Sequence, residues 1–139
     1  MIKWAGWLIV LFPGVGHTLG ALVETAPRYA GAWFSGEGWE VDATAMNYAE
    51  ATLWYTVFSF GVPFLLIGLM VLWLDHRGST PPPFLAWMVA AWTLTTVAVG
   101  GPSPLLVLLI AAGLLLAGSR RAARRDNPGT TAGISIRPS

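Results

Sequence analysis

The sequence predicts an all-α integral membrane protein, a four-helix bundle that crosses the bilayer four times. Three observations carry that prediction. Hydrophobic residues make up 55% of the 139 residues and the mean hydropathy is +0.60, while only 11% carry charge, too few to cover a water-facing surface. The apolar residues gather in four runs, Trp4–Val23, Ala49–Leu74, Phe84–Gly100 and Pro104–Gly118. The basic residues, finally, fall almost entirely to one side of those runs.

Each run is a helix for a physical reason: in lipid the backbone N–H and C=O groups must bond internally. A helix rises about 1.5 Å per residue and the hydrocarbon core is about 30 Å thick, so about 20 residues cross it. The first helix, about residues 4–23, spans comfortably. An outer loop from about Thr25 to Val41 is expected next. Trp33, Phe34 and Trp39 lie there among Gly31, Gly36 and Gly38, and read as an interfacial lid at headgroup depth. Asp42 is placed to cap helix two, expected over residues 43–74 with a kink at Pro63, where one backbone donor is lost. The inner loop "DHRGSTPPP", Asp75–Pro83, is short and makes helices two and three antiparallel neighbours. The third helix, about 84–100, turns at "GGPSP" into the fourth, about 104–118. These two are short and rely on flanking residues, a thin bilayer or close neighbours. Residues 1–118 thus form the bundle. From 119 to 139 a basic segment precedes a cytoplasmic tail with too little apolar content to order itself.

The first run also has the look of a secretory signal, with Lys3 before it and Ala30–Gly31–Ala32 as a cleavage-like triplet. A signal's apolar region is about 7–15 residues, however, and this one is longer, so it reads as a retained span. With four spans, Lys3, Arg77, Arg120, Arg121, Arg124, Arg125 and Arg137 lie on one side. Arg28 lies on the other with Glu24, Glu37, Glu40, Asp42 and Glu50. Basic residues near span ends stay in the cytoplasm, which puts both termini inside a bacterial plasma membrane. The arginine cluster reads as an anchor on anionic lipid headgroups, at about 1 kcal/mol per charge, and not as a nucleic-acid site. Zero cysteines remove disulfide, thiolate and iron–sulfur chemistry. The two histidines fall at opposite faces, which argues against zinc, so no metal is expected. Phosphate loops, HExxH and GxSxG are absent, and the sequence implies no cofactor.

The polar residues inside the apolar runs are the candidate site. In "PGVGHTLGALVE", Pro13 to Glu24, His17 has Pro13, Gly14, Gly20 and Ala21 on its own helix face, and Gly16 with Gly20 makes a small-xxx-small pair. Glycines remove bulk, so another helix can approach there and the imidazole points into the bundle. Ionisable groups inside membranes are functional suspects, although a histidine bonded to a neighbouring helix explains the pattern equally well. Glu24 and Glu50 are expected at similar depth near the outer mouth. Asn47, Glu50 and Trp54 share a face of helix two. Together with His17 they could line an outward cavity in which two carboxylates and an imidazole set each other's pKa values apart, as acid/base chemistry requires. The bland alternative is that both glutamates are simply solvated at helix ends. A hydroxyl stripe of Tyr48, Thr52, Tyr55, Thr56 and Ser59, with Thr93, Thr95 and Thr96 opposite, reads first as helix glue. Trp4, Trp7, Trp73, Trp87 and Trp92 are placed as interface anchors, and Trp54 as a pocket wall.

Three stretches, "KWAGWLIVLFPGVGHTLGALVE", "FSFGVPFLLIGLMVLWL" and "PPPFLAWMVAAWTL", resemble small four-helix membrane proteins of actinobacteria with no assigned function. The resemblance covers most of the chain up to Gly118 and is most specific at Gly14–Gly20 around His17 and at Ser59–Pro63. It implies the four-span architecture and no activity. A weaker similarity, in size and span number, is to DoxX-like membrane proteins.

Three functions fit these readings. The first is a protein that binds a hydrophobic or lipid-like small molecule or a partner subunit in its outer-leaflet half, through His17, Asn47, Glu50, Trp54 and Tyr55. The second is a membrane-embedded acid/base enzyme of isomerase or cyclase type, with His17 and Glu50 handling the proton and Glu24 tuning them. The third is a small transporter subunit that works as a homo-oligomer.

Overall fold

The computed structural model describes residues 1–36 and 44–126. Every element in them is helical. In order these are α1 (Ile2–Ile9), a π-helical stretch (Val10–His17), α2 (Thr18–Ser35), α3 (Tyr48–Thr56), α4 (Gly61–His76), α5 (Pro83–Gly100), a 3-10 turn (Pro104–Leu106) and α6 (Val107–Asp126). Among the described residues, four stretches are long and apolar enough to cross a membrane: Ile2–Ser35, Tyr48–His76, Pro83–Gly100 and Pro104–Arg125. Only 22–33% of each apolar window is buried, and Trp4, Val23, Trp87 and Val99 stand exposed. Such a surface is unfavourable in water and ordinary against lipid, as in a multi-pass membrane protein.

Several helix boundaries differ from those the hydropathy suggests. The first helix, expected to end near Val23, continues to Ser35, so the expected loop from Thr25 onward is helical as far as Trp33 and Phe34. Apolarity stops at Val23 but helix formers do not: alanines, Glu24 and Arg28 carry the helix on, and it stops at Gly36, whose φ of 88° is the left-handed conformation that closes helices. Trp39, Asp42 and the rest of that expected loop lie outside the described residues. Helix two, expected from residue 43, begins at Tyr48 among the described residues, because Asn47 supplies its cap; residue 43 lies outside them. It is not kinked at Pro63 but broken over residues 57–60. Pro63 sits in the first turn of α4, where no backbone donor is needed, and its ring would clash with a helical carbonyl at Ser59, so the chain leaves the helix upstream. The fourth helix runs past Gly118 to Asp126, which makes Arg120–Arg125 helical. Residues 127–139, with Arg137, lie outside the described residues.

The chain divides into two compact units, Gly6–Trp73 and Met1–Ala5 with Leu74–Ser139. In the first, α1, the π-helical stretch and the start of α2 pack antiparallel to α4 at backbone distance. A Cβ on Gly6 would lie 2.8 Å from Leu72 Cγ, one on Gly68 2.9 Å from Val10 N, and one on Gly14 2.9 Å from Leu65 Cα. Positions ascend on one helix as they descend on the other, which is the mark of one continuous seam. The small residues permit an approach that membrane helices use in place of hydrophobic collapse. Further along, α2 packs on α3, and the Trp33 indole N–H donates to Ala49 O at 2.8 Å.

The second unit is more regular. Its α5 opens with Pro83 at the first helical position, where proline needs no donor. Buried residues recur on one face of α5 (Leu85, Ala86, Val89, Thr93) and of α6 (Leu108, Ala111, Ala112, Leu115), and the two helices pack on each other. Ser103 Oγ accepts from Leu105 N at 3.3 Å and caps the turn into α6. Gly78, with φ of 69°, closes the end of α4 through paired bonds from Gly78 N to Asp75 O and Ser79 N to Leu74 O.

Candidate functional site

The site begins with backbone that cannot satisfy itself. After Thr56 the amides of Val57 and Phe58 both turn to the Leu53 carbonyl, at 3.0 and 3.4 Å, and regular bonding resumes with Phe64 N to Phe60 O at 3.0 Å. Carbonyls left over in such a break need donors, since lipid offers none. His17 supplies one. It ends the π-helical stretch, itself a rare conformation that holds Pro13 inside it.

The His17 Nε2 lies 3.0 Å from Ser59 Oγ and 3.3 Å from the Tyr55 carbonyl. A carbonyl oxygen only accepts, so a bond to it puts the hydrogen on Nε2. The N–H is then shared between Tyr55 O and Ser59 Oγ, and the Ser59 hydroxyl donates onward to Thr56 O at 3.2 Å. The ring stacks on Phe60, with centroids 4.2 Å apart and planes 26° from parallel, and meets Tyr55 edge-on at 5.2 Å. Gly61, the first residue of α4, makes room for this: a Cβ there would collide with Thr18 Oγ1 and lie 3.2 Å from His17 Cδ2. Thr18 Oγ1 is buried and has no hydrogen-bond partner among the described residues. His17, Thr18, Tyr55, Ser59, Phe60 and Gly61 therefore form one polar junction between two irregular helix segments.

The other sequence candidates are placed differently. Glu50 is 8% exposed, and its Oε2 accepts from Asn47 N at 2.9 Å while Asn47 Oδ1 accepts from Glu50 N at 2.9 Å. This reciprocal capping box holds the two residues together at the start of α3. Glu24 is exposed within α2 and does not close a helix. Trp54 and Tyr55 are 48% and 57% exposed; Trp54 leans on Phe58 and Tyr55 on His17. Among the described residues no three His, Asp or Glu side chains gather closely enough to hold a metal. The Gly16–Gly20 pair does not make the seam: Gly20 faces open space, and Gly14, Gly61 and Gly68 make the close approaches instead.

The hydroxyl stripe resolves into two roles. Thr52, Thr56, Thr93 and Thr96 bond carbonyls of their own helices, three or four residues back. Of the stripe's hydroxyls, that of Ser59 reaches His17. The roles of Phe60, Gly61 and Thr18 were not read from the sequence. The string "SFGVP" carried the signal, since a proline two residues after a glycine marks where a helix starts afresh and needs outside donors.

No curated protein and no solved structure matches the chain. Residues 1–122 match the model of DUF6463, a family of unknown function, and the chain belongs to that family.

Proposed function

We propose that this chain is a four-span protein of the bacterial plasma membrane, with both termini cytoplasmic, that binds a hydrophobic or lipid-like small molecule in its outer-leaflet half, at the His17 junction. The carrying observation is the meeting of a π-helical stretch and a broken helix at a histidine. Irregular backbone at membrane depth is tolerated where protein covers it or where it lines a cavity, and broken spans are where membrane proteins place ligand sites. His17 presents Nδ1 as the remaining ring nitrogen, with Tyr55 as a partly exposed aromatic wall beside it and Trp54 partly exposed one residue earlier on α3. An apolar ligand with one polar group fits that combination. Asn47 and Glu50 support the site from the α3 cap, a turn and more away along the helix.

The acid/base alternative asks His17 and Glu50 to exchange a proton. Glu50 is engaged at the cap and lies five residues before Tyr55, about 7 Å along the axis. Binding is therefore the reading carried forward. A partner subunit or second copy on the same face is the variant in which the occupant is a protein.

Native mass spectrometry of the protein released from mild detergent tests this. A discrete small-molecule adduct on wild type, lost in both His17→Ala and Trp54→Ala, is the expected result. Bare protein, or an adduct indifferent to both substitutions, removes the binding site. Orientation is tested separately. The natural chain has zero cysteines, so Thr44→Cys should label from outside intact cells and Ser79→Cys should not.

A further inference from the structure

At the far end of α6 the sequence turns from leucine and alanine to arginine within one helical turn, and a cleft of about 230 Å³ opens at that transition. Gly118, Arg121, Ala122 and Arg125 line it from one face of α6, at spacings of three and four. Met1, Ile2 and Asp75 complete its wall. Gly118 shapes the floor, because a Cβ there would lie 2.5 Å from Ile2 Cγ1. The arginines are exposed, and Arg120 and Arg124 occupy the neighbouring face outside the cleft.

Two guanidiniums one turn apart present forks of N–H donors that match phosphate oxygens. The Met1 N-terminus stands beside them and Asp75 is the one carboxylate of the lining, so the lining carries a net positive charge. That excess suits an anionic phosphate group. The position decides the source. The cleft lies where an apolar span gives way to a basic end, the depth at which lipid headgroups sit. We propose that this cleft binds the phosphodiester of an anionic phospholipid, with Arg121 and Arg125 as its clasp and Asp75 limiting the charge it accepts.

The test uses the full chain, stripped of lipid in neutral detergent and titrated with phosphatidylglycerol. The variants are Arg121→Gln/Arg125→Gln, the charge-matched Arg120→Gln/Arg124→Gln, and Asp75→Asn. The first double variant should weaken binding about tenfold or more, and the second less than about threefold. Asp75→Asn should tighten it. Equal losses in the two double variants would mean diffuse attraction and overturn the site. Phosphatidylcholine binding as tightly as phosphatidylglycerol would overturn the preference for anionic lipid. Displacement of the lipid by millimolar inorganic phosphate would assign the cleft to a soluble anion instead. The arginines are exposed, and thermal unfolding of each variant confirms that it folds.

Discussion

The pairing within Gly6–Trp73 and the pairing of α5 with α6 solve the same problem in opposite ways. Both bring apolar helices together without help from water. The α5–α6 pair does so with regular helices whose threonines bond their own carbonyls, so each helix is complete alone. The other pair is incomplete by itself: it contains a π-helical stretch, a break over residues 57–60 and prolines at 13 and 63, and the break is satisfied across the seam by His17. Regular helices are interchangeable packing units. A broken one depends on a particular partner residue, and that dependence is why the junction and not the α5–α6 pair is the place to look for function.

The sharpest way to break this comparison is to add bulk at the seam. Gly14→Leu and Gly68→Leu each drive a side chain into facing backbone, and should cost about 2–3 kcal/mol in denaturant titrations in detergent. Gly20→Leu and Gly113→Leu enter open space and should stay within about 0.5 kcal/mol. If Gly113→Leu proved as damaging as Gly68→Leu, the distinction between the two pairs would fail.

His17→Ala is next. It strips the donor from the break and should cost about 1–2 kcal/mol. A double-mutant cycle with Ser59→Ala should show coupling of about 0.5–1.5 kcal/mol. Thr93→Val, which removes only a bond within one helix, should cost about 0.5 kcal/mol or less. Additivity between His17 and Ser59 would sink the shared-proton geometry. The capping box comes after these: Asn47→Ala should cost about 1 kcal/mol, read by the same titration. The mildest difference is one of local opening. Amides over residues 57–60 should exchange hydrogen about tenfold faster than those over 89–96, because fewer regular helical bonds close over them.

Much of this was legible beforehand. Apolar run length gave the four spans, because the bilayer imposes a length and lipid imposes helicity. The suspicion attached to His17 came from the cost of an ionisable group among glycines. Hydropathy does not mark the limit of helix formation, however: α2 runs on through Thr25–Ser35 because backbone bonding continues where apolarity stops. Gly16 and Gly20 are not the contact face that regular helical spacing predicts, because the π-helical stretch changes the angular spacing per residue and turns Gly14 toward Leu65 instead. Glu50 looked like a chemical group because carboxylates near a membrane invite that reading. Its partner three residues earlier, Asn47, was the sign of a cap.

The sequence alone determined that this chain is helical and which of its stretches are apolar enough to cross a membrane, because each of these follows from composition summed over a stretch. Only the tertiary structure decided that His17 bonds Tyr55 and Ser59, that Gly61 gives way to it, and that Arg121 and Arg125 share a cleft with Asp75. Those pairings depend on where a helix breaks and how far its register rotates, and a change of one hydrogen bond in the backbone re-aims every side chain beyond it.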